Sequence, residues 1–503
     1  MAKQPAASQI ETLEPKPVWR FFAGMTAVPR PSKSETKIRA YVRDAAAKRG
    51  LTVHEDEIGN IVIDVPATAG HENAPITVLQ GHLDMVCEAN SGTDVDFDND
   101  PIRPLIDVDE RSGETIVRAD GTTLGADNGI GVAMAFAAAT EPDVIHGPLE
   151  LLCTIDEEAG MSGAKALTPD SFKGRRLINL DSEEDDAIYI GCAGGADVTL
   201  RWQLTTQPLR AEAEVCRVTV AGLRGGHSGG DIHLNRANAI KLLARTLRGA
   251  DLDHLHLAAI NGGSMRNAIP REARAVLAGP AGAADALRRS ADIVQRETID
   301  AAGEAKCKVR VEMLSANDAA RVASDDDSRR VLDALAALPS GVLAVVPEIA
   351  GLVQTSNNVS TISSTGASAA GSTLDVEVGC LSRSSSATQV RATIRQISAI
   401  GRLGGAALEL GNDYPGWEPN FDSATLATCR QVYEQLFGEA PGVTAIHAGL
   451  ECGIIGERIG GMDMVSFGPH IEGPHSPDER VYVASVQKSW KLLKAVLAEL
   501  ARG

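Results

Sequence analysis

Four short apolar runs in this chain each end on an acid or a histidine. Residues 76–79 lead into Gly81-His82-Leu83-Asp84, residues 149–155 into Asp156-Glu157-Glu158, and residues 177–180 into Asp181-Ser182-Glu183-Glu184. Far down the chain, residues 464–467 lead into Gly468-Pro469-His470 and then Pro474-His475-Ser476-Pro477. Continuous apolar runs of this length, without polar alternation, predict strands buried on both faces of an α/β sheet. A helical stretch at 128–140 between them fits the same class. Ligand sites in such sheets lie beyond the carboxyl ends of the strands. Residues able to carry chemistry therefore recur where the fold would place a site.

The middle of the chain has another texture. Strands are expected at 215–220, 255–260, 274–277 and 308–313, with helices at 236–247 and 281–302. A second set follows: a helix at 328–338, strands at 355–363 and 373–382, and a helix at 387–401. This order predicts a separate α+β domain made of two such units. The acid and histidine motifs resume after Tyr414-Pro415-Gly416-Trp417. The expected organisation is thus an α/β domain built from residues 1–192 and 410–503, interrupted by an inserted α+β domain at 193–409.

At 503 residues the chain can bury a large core without disulfide staples. Lysine and arginine number 48 against 67 acids, a net charge of −19, which argues against nucleic acid or an anionic membrane as partner. The eight cysteines form no C-x-x-C pair, and the polar start MAKQPAASQIETLEPKP has no secretory apolar core. Both features predict a reduced, cytoplasmic setting. No apolar run reaches the roughly 18 residues of a membrane span.

Each candidate site residue has an ordinary reading beside the chemical one. His82 and Asp84 are two apart and face the same way on an extended chain. One can hold a metal while the other fixes its tautomer, or the two are a plain strand-end pair. Asp127, ahead of a helix in Gly125-Ala126-Asp127-Asn128-Gly129, is either an N-cap or a carboxylate able to bridge two cations. No lysine follows it and the third glycine of G-x-G-x-x-G is missing, so a phosphate loop fits poorly. Glu157 and Glu158 diverge as neighbours, so one can ligate a metal while the other acts as general base. Asp181 heads an acidic run whose remainder reads as solvated surface. His475 lies in a loop stiffened by Pro474 and Pro477, with His470 as its rival.

Together, one His, a bridging Asp, a further Asp, a Glu and a second His make the donor set of a two-zinc hydrolytic site. One Glu is left as base and one Asp to orient an imidazole. A different chemistry competes: Gly226-His227-Ser228-Gly229-Gly230 matches G-x-S-x-G and offers Ser228 as a nucleophile. That elbow needs an immediate strand-to-helix turn, and the next helical run begins only near residue 236.

The stretches GHLDMV, GTTLGADNGIG, DEEAGMSGA, NLDSEE, GCAGG, GLRGGHSGGDIH, NGGSMRNAIPREA, YPGWEP, HAGLECG and GPHSPDERV resemble the M20 metallopeptidases, and most closely their aminoacyl-histidine dipeptidase branch. The resemblance runs from about residue 15 to the C-terminus. It implies a catalytic domain with a central mixed sheet flanked by helices and two zinc ions, for which manganese or cobalt are chemically suited substitutes. It also implies an inserted lid domain that closes over the substrate. Carried over by motif, His82 and Asp181 would hold one zinc, Glu158 and His475 the other, and Asp127 would bridge them. Glu157 would be the general base, Asp84 would orient His82, and the peptide between Asp127 and Asn128 would be cis. On the lid, His227 would polarise the scissile carbonyl, while Asn267 and Arg383 would bind the substrate's terminal carboxylate. One departure is Ser356-Asn357-Asn358-Val359, where the family usually has Ser-Leu-Asn-Val.

The implied activity is cytosolic hydrolysis of unblocked dipeptides with a preference for a C-terminal histidine (Xaa-His), carnosine-like substrates included. Family members are often dimers through the lid, so a second copy of the chain joins the dipeptide as an implied partner. Hydrolysis of N-acyl amino acids at the same zinc site is the nearest alternative. Peptide binding without turnover is another, although a pure binder has no use for a base.

Overall fold

The computed structural model describes residues 7–366 and 373–502, so the first six residues of the polar start lie outside the described residues. Within it the chain forms two compact units. One comprises residues 1–191, 419–445 and 450–503, the other 192–418 and 446–449. The return to the first unit thus comes later than residue 410. The strand Ala407–Tyr414 hydrogen-bonds along Gly194–Pro208 and is held in the second unit by that ladder.

The first unit is built on an eight-stranded mixed sheet. All four apolar runs with acid or histidine ends are strands at its centre: Thr77–His82, Leu149–Thr154, Arg176–Asn179 and Asp463–Ser466. They run parallel to one another, Leu149–Thr154 and Arg176–Asn179 flanking Thr77–His82, and Asp463–Ser466 beyond Arg176–Asn179. Their carboxyl ends consequently share one edge. Thr77–His82 and Leu149–Thr154 are buried at every position, as continuous apolar runs require.

The helix Ala126–Thr140 is buried almost all round and rich in alanine and glycine, which lets it lie close to the sheet. A Cβ at Gly131 would come within 2.1 Å of the Leu180 carbonyl oxygen, and one at Gly81 within 2.2 Å of Asn128 Oδ1. A small four-stranded sheet completes the unit. There Arg480–Tyr482 pairs antiparallel with Thr115–Ala119. This pairing carries the loop holding His475 and Glu479 to the loop that leads into Asp127.

The second unit is a ten-stranded sheet with the helices Ala239–Gly249, Ala283–Ala302, Asp325–Ala337 and Ala387–Leu403. Apolar stripes on these helices share one core with the strands, Leu243, Leu287, Leu335 and Ile397 joining Val218, Leu277 and Val378. The two expected α+β sets do not stay separate. Gly262 pairs with Ile362 and fuses them into one sheet. The strand Gly194–Pro208 is not anticipated by the sequence, because it opens on small residues without an apolar run. It nevertheless pairs from Gly194 to Thr205 with Thr373–Ser384.

Candidate active site

Six side chains expected from the sequence meet beyond the parallel strands of the first unit. His82 ends its strand, and its Nε2 lies 3.1 Å from Asp127 Oδ1 and 3.4 Å from Asp181 Oδ1. The other oxygen of the same Asp127, Oδ2, lies 3.3 Å from His475 Nε2, and His475 Nε2 is 2.9 Å from Glu158 Oε2. Asp127 therefore presents one carboxylate oxygen to each of two imidazoles, and each half gains one further acid. His470, the rival for this role, stacks on Tyr482 with its Nδ1 against the Glu183 carbonyl, away from the ligand cluster. The peptide between Asp127 and Asn128 is cis.

Asp84 is fully buried and ties two motifs together. Its Oδ1 is 3.4 Å from His82 Nδ1 and accepts from the Glu157 amide, while Oδ2 accepts from the Glu158 amide and the Ser32 hydroxyl. Asp84 thus orients the imidazole chiefly through its carbonyl oxygen, 3.2 Å from His82 Nδ1, while its carboxylate pins the turn bearing both glutamates. Asp156, at φ 55°, turns the chain out of its strand just before them. The Glu157 side chain is absent from the ion pairs that join the other acids to the two histidines.

Two supports carried no signal of their own in the sequence. Glu479, 2% exposed, accepts from the backbone amides of Leu124, Gly125 and Asp127 and so fixes the loop that presents Asp127. Its place four residues after His475, in the PHSPDER stretch, was the one available hint. Arg30, equally buried, donates to the carbonyls of Leu83, Asp84 and Gly125. Flanked by prolines, it reads in the sequence as ordinary loop.

The electrostatics are those of a site with too many acids for its histidines. Burial raises Glu157 well above the carboxylate range and pushes Asp181 up to about 7. Burial also opposes ionisation of Asp127 and Asp84, but His475 and His82 hold Asp127 below its ordinary value, and His82 and Ser32 help hold Asp84 at about 2. Bonds to Asp127 and Glu158 push His475 up to about 11. At His82 burial pulls down but the surrounding carboxylates win, leaving it well above the ordinary range.

The residues fit a metal. Donor atoms of His82, Asp127 and Glu158 all lie within 4.8 Å of one another. Buried Asp181 Oδ1 and Glu158 Oε1 have no hydrogen-bond partner, an expense that a cation would offset. Nitrogen and carboxylate donors of this kind suit zinc and its neighbours. In the metal-free protein at pH 7, His82 and His475 carry protons that metal ligation must displace. Metal uptake should release between about two and three protons per chain at that pH, one from each imidazole and a fraction from Asp181, and affinity should rise as pH rises. Titration calorimetry in buffers of different ionisation enthalpy reads this number; binding without proton release would contradict the arrangement.

In the second unit, His227 and Asn267 are brought together by a two-residue ladder that pairs Gly226 with Ile269 and His227 with Ala268. The Gly230 amide donates to His227 Nδ1 over 3.0 Å, and burial together with the Arg383 charge lowers the affinity of this ring for a proton. The neutral ring therefore keeps its hydrogen on Nε2, which is left as a donor. Arg383, 6% exposed, donates through Nη1 to the Tyr414 hydroxyl over 2.7 Å, while its Nε has no partner. Ser228 Oγ is buried without a hydrogen-bond partner, and the next α-helix starts only at Ala239. The structure gives Ser228 neither a base nor an elbow.

A cluster of imidazoles around a shared carboxylate, on the carboxyl edge of an α/β sheet, defines a metal-dependent hydrolase. Residues 78–499 match the model of peptidase family M20/M25/M40, and the chain belongs to that family. It is 43% identical to the cytosol non-specific dipeptidase of Escherichia coli (strain K12), over 98% of this chain and 99% of that one. The crystal structure of aminoacylhistidine dipeptidase from Vibrio alginolyticus superposes with a TM-score of 0.89 at 41% identity, covering 97% of this chain and 98% of that one. The aminopeptidase PepT structure from Bacillus cereus shares the fold, with a TM-score of 0.55 at 16% identity over 97% and 99% of the two chains.

Proposed function

We propose that this chain is a cytoplasmic two-zinc dipeptidase that hydrolyses unblocked dipeptides, Xaa-His among them. The carrying observation is Asp127, whose two oxygens face His82 and His475 separately, with Asp181 beside the first imidazole and Glu158 beside the second. In this reading His82 and Asp181 would hold one zinc and Glu158 and His475 the other, with the Asp127 carboxylate serving both; manganese or cobalt could substitute. The name of the Escherichia coli relative, a cytosol non-specific dipeptidase, supports the dipeptide and the cytosolic setting, and that of the Vibrio alginolyticus structure supports Xaa-His among the substrates.

When bound, the two cations supply Lewis acidity, acidifying water and stabilising negative charge on oxygen in the transition state. The protein's residues do the rest. Glu157 takes the proton of the attacking water as its oxygen joins the carbonyl carbon, then gives that proton to the leaving amine nitrogen as the C–N bond breaks. Its preference for a proton, raised by burial, suits the second half of that task. Asp84 keeps His82 and the glutamate turn in register. Within the second unit, His227 donates from Nε2 to the scissile carbonyl, while Asn267 and the Arg383 fork bind the substrate carboxylate.

The test is a panel of free dipeptides, Xaa-His dipeptides and N-acetyl amino acids assayed with zinc-loaded and chelated protein. Dipeptides should turn over only with metal, and readdition of zinc should restore the rate. Turnover confined to N-acyl amino acids, or persisting after complete chelation, would overturn the reading. Arg383→Ala should cost dipeptides about 30-fold or more in kcat/KM, the equivalent of roughly 2 kcal/mol. An activated ester without a carboxylate should be nearly unaffected, and equal losses on both would remove Arg383 from the carboxylate site.

A further inference from the structure

On the sheet face that bears the ligands lies a second row of polar side chains. Gln80 is two residues before His82 on the same strand, so the two share its face, and Asn179 is the last strand residue before Asp181. Thr154 is the register partner of His82, and Gln80 that of Asn179. Gln80, Thr154 and Asn179 are all 0% exposed, and so is Glu451, the first residue of the helix Glu451–Ile459. Glu451 Oε2 accepts from Gln80 Nε2 over 2.7 Å and from Thr154 Oγ1 over 2.5 Å. Asn179 Nδ2 donates to Gln80 Oε1 over 2.6 Å, Ser466 Oγ donates to Asn179 Oδ1, and Ser466 meets Ser182 Oγ at 2.5 Å. The row links all four parallel strands and stops at the residue after Asp181.

Such a row is costly as mere core. Glu451 Oε1 has no hydrogen-bond partner, and an apolar side chain of similar volume would avoid that desolvation. A chain of fixed hydrogen bonds instead sets the relative height of neighbouring strand ends, and metal ligands tolerate only a few tenths of an ångström of misplacement. We propose that Glu451 is a positioning residue of the metal centre, anchoring through Gln80 and Thr154 the strand ends that carry His82 and the Glu157–Glu158 turn. The inference rests on the two-metal reading above.

Zinc affinity measured by chelator competition tests it, alongside kcat and the melting temperature of the metal-free protein. Glu451→Ala should weaken zinc binding by about 10- to 100-fold, the usual effect of removing a support behind a ligand, and lower kcat. Glu451→Gln keeps an oxygen for both donors and should restore affinity to within about threefold of wild type, well short of that loss. Ile454→Ala, a buried change on the same helix, should lower the melting temperature and leave zinc affinity as it was. Wild-type affinity in Glu451→Ala, or an equal loss in Ile454→Ala, overturns the proposal. Where Glu451→Ala yields no soluble protein, Thr154→Val takes its place: weakened zinc binding supports the proposal and wild-type affinity overturns it. A wild-type protein that binds no zinc would fail the two-metal reading itself, whereas two tight zincs in both wild type and Glu451→Ala would fail this inference alone.

Discussion

Glu157→Ala is expected to retain both metals and to lose about 10²- to 10⁴-fold in kcat, the range that a positioned general base supplies. The expectation follows from the division of labour between two adjacent acids. Glu158 reaches His475 at 2.9 Å and leaves Oε1 buried without a hydrogen bond, the condition of a ligand. Glu157 stands outside those ion pairs, and in the metal-free site burial outweighs the His82 charge and raises its hold on a proton. Both amides are pinned by the same Asp84 carboxylate, so either side chain can be removed without releasing the turn. Glu158→Ala should therefore lose metal, with the fall in activity partly recovered at high zinc. Elemental analysis and single-turnover rates on the two variants separate the roles. Metal loss in Glu157→Ala with metal retention in Glu158→Ala would exchange the assignments.

The legible part of this site was the part set by local periodicity. Buried parallel strands declare themselves as apolar runs, and the residues that follow them fall at the sheet edge whatever else the chain does. His82, Glu157, Glu158 and Asp181 could be placed in that way. Asp127 and His475 could not, because they depend on a helix entry and on the distant pairing of Arg480–Tyr482 with Thr115–Ala119. The sequence offered Asp127 only as an acid ahead of a helix and His475 only as one of two histidines in a loop, and motif resemblance favoured His475 over His470. The end of the second unit near residue 418 has no sharp local signal for a related reason. Ala407–Tyr414 belongs with Gly194–Pro208 by a ladder across some two hundred residues, and no local pattern reports such a partner. Supports such as Arg30, Glu479 and Glu451 were least legible. A charged residue in a loop ordinarily means solvent, and only tertiary structure shows that these three are buried.

Arg30→Met is expected to destabilise the metal-free protein by about 3–5 kcal/mol, the scale for stripping one partner from a buried charged network. The guanidinium ties two loops together through the carbonyls of Leu83 and Asp84 on one and Gly125 on the other. Its charge also faces Glu479, Asp84 and Asp127, which offset the burial that works against it. The fit is close: Gly125 has φ 71°, and a Cβ there would lie 2.3 Å from Arg30 Nη2, so glycine is required by both backbone and space. Methionine fills the volume but strips a donor from each of three carbonyls, leaving that of Leu83 bare while Gly125 keeps the Gly129 amide, and takes the cation from three carboxylates. Arg30→Lys should recover little, because an ammonium on a single stem cannot serve three carbonyls in the plane of a fork. Denaturant unfolding of the metal-free variants checks both statements, and a lysine variant as stable as wild type would contradict the second. Because the same fork sets Asp84 against Asp127, the lost stability should be accompanied by weaker zinc binding. The joint loss would show that the centre is assembled by the loop framework before any metal arrives.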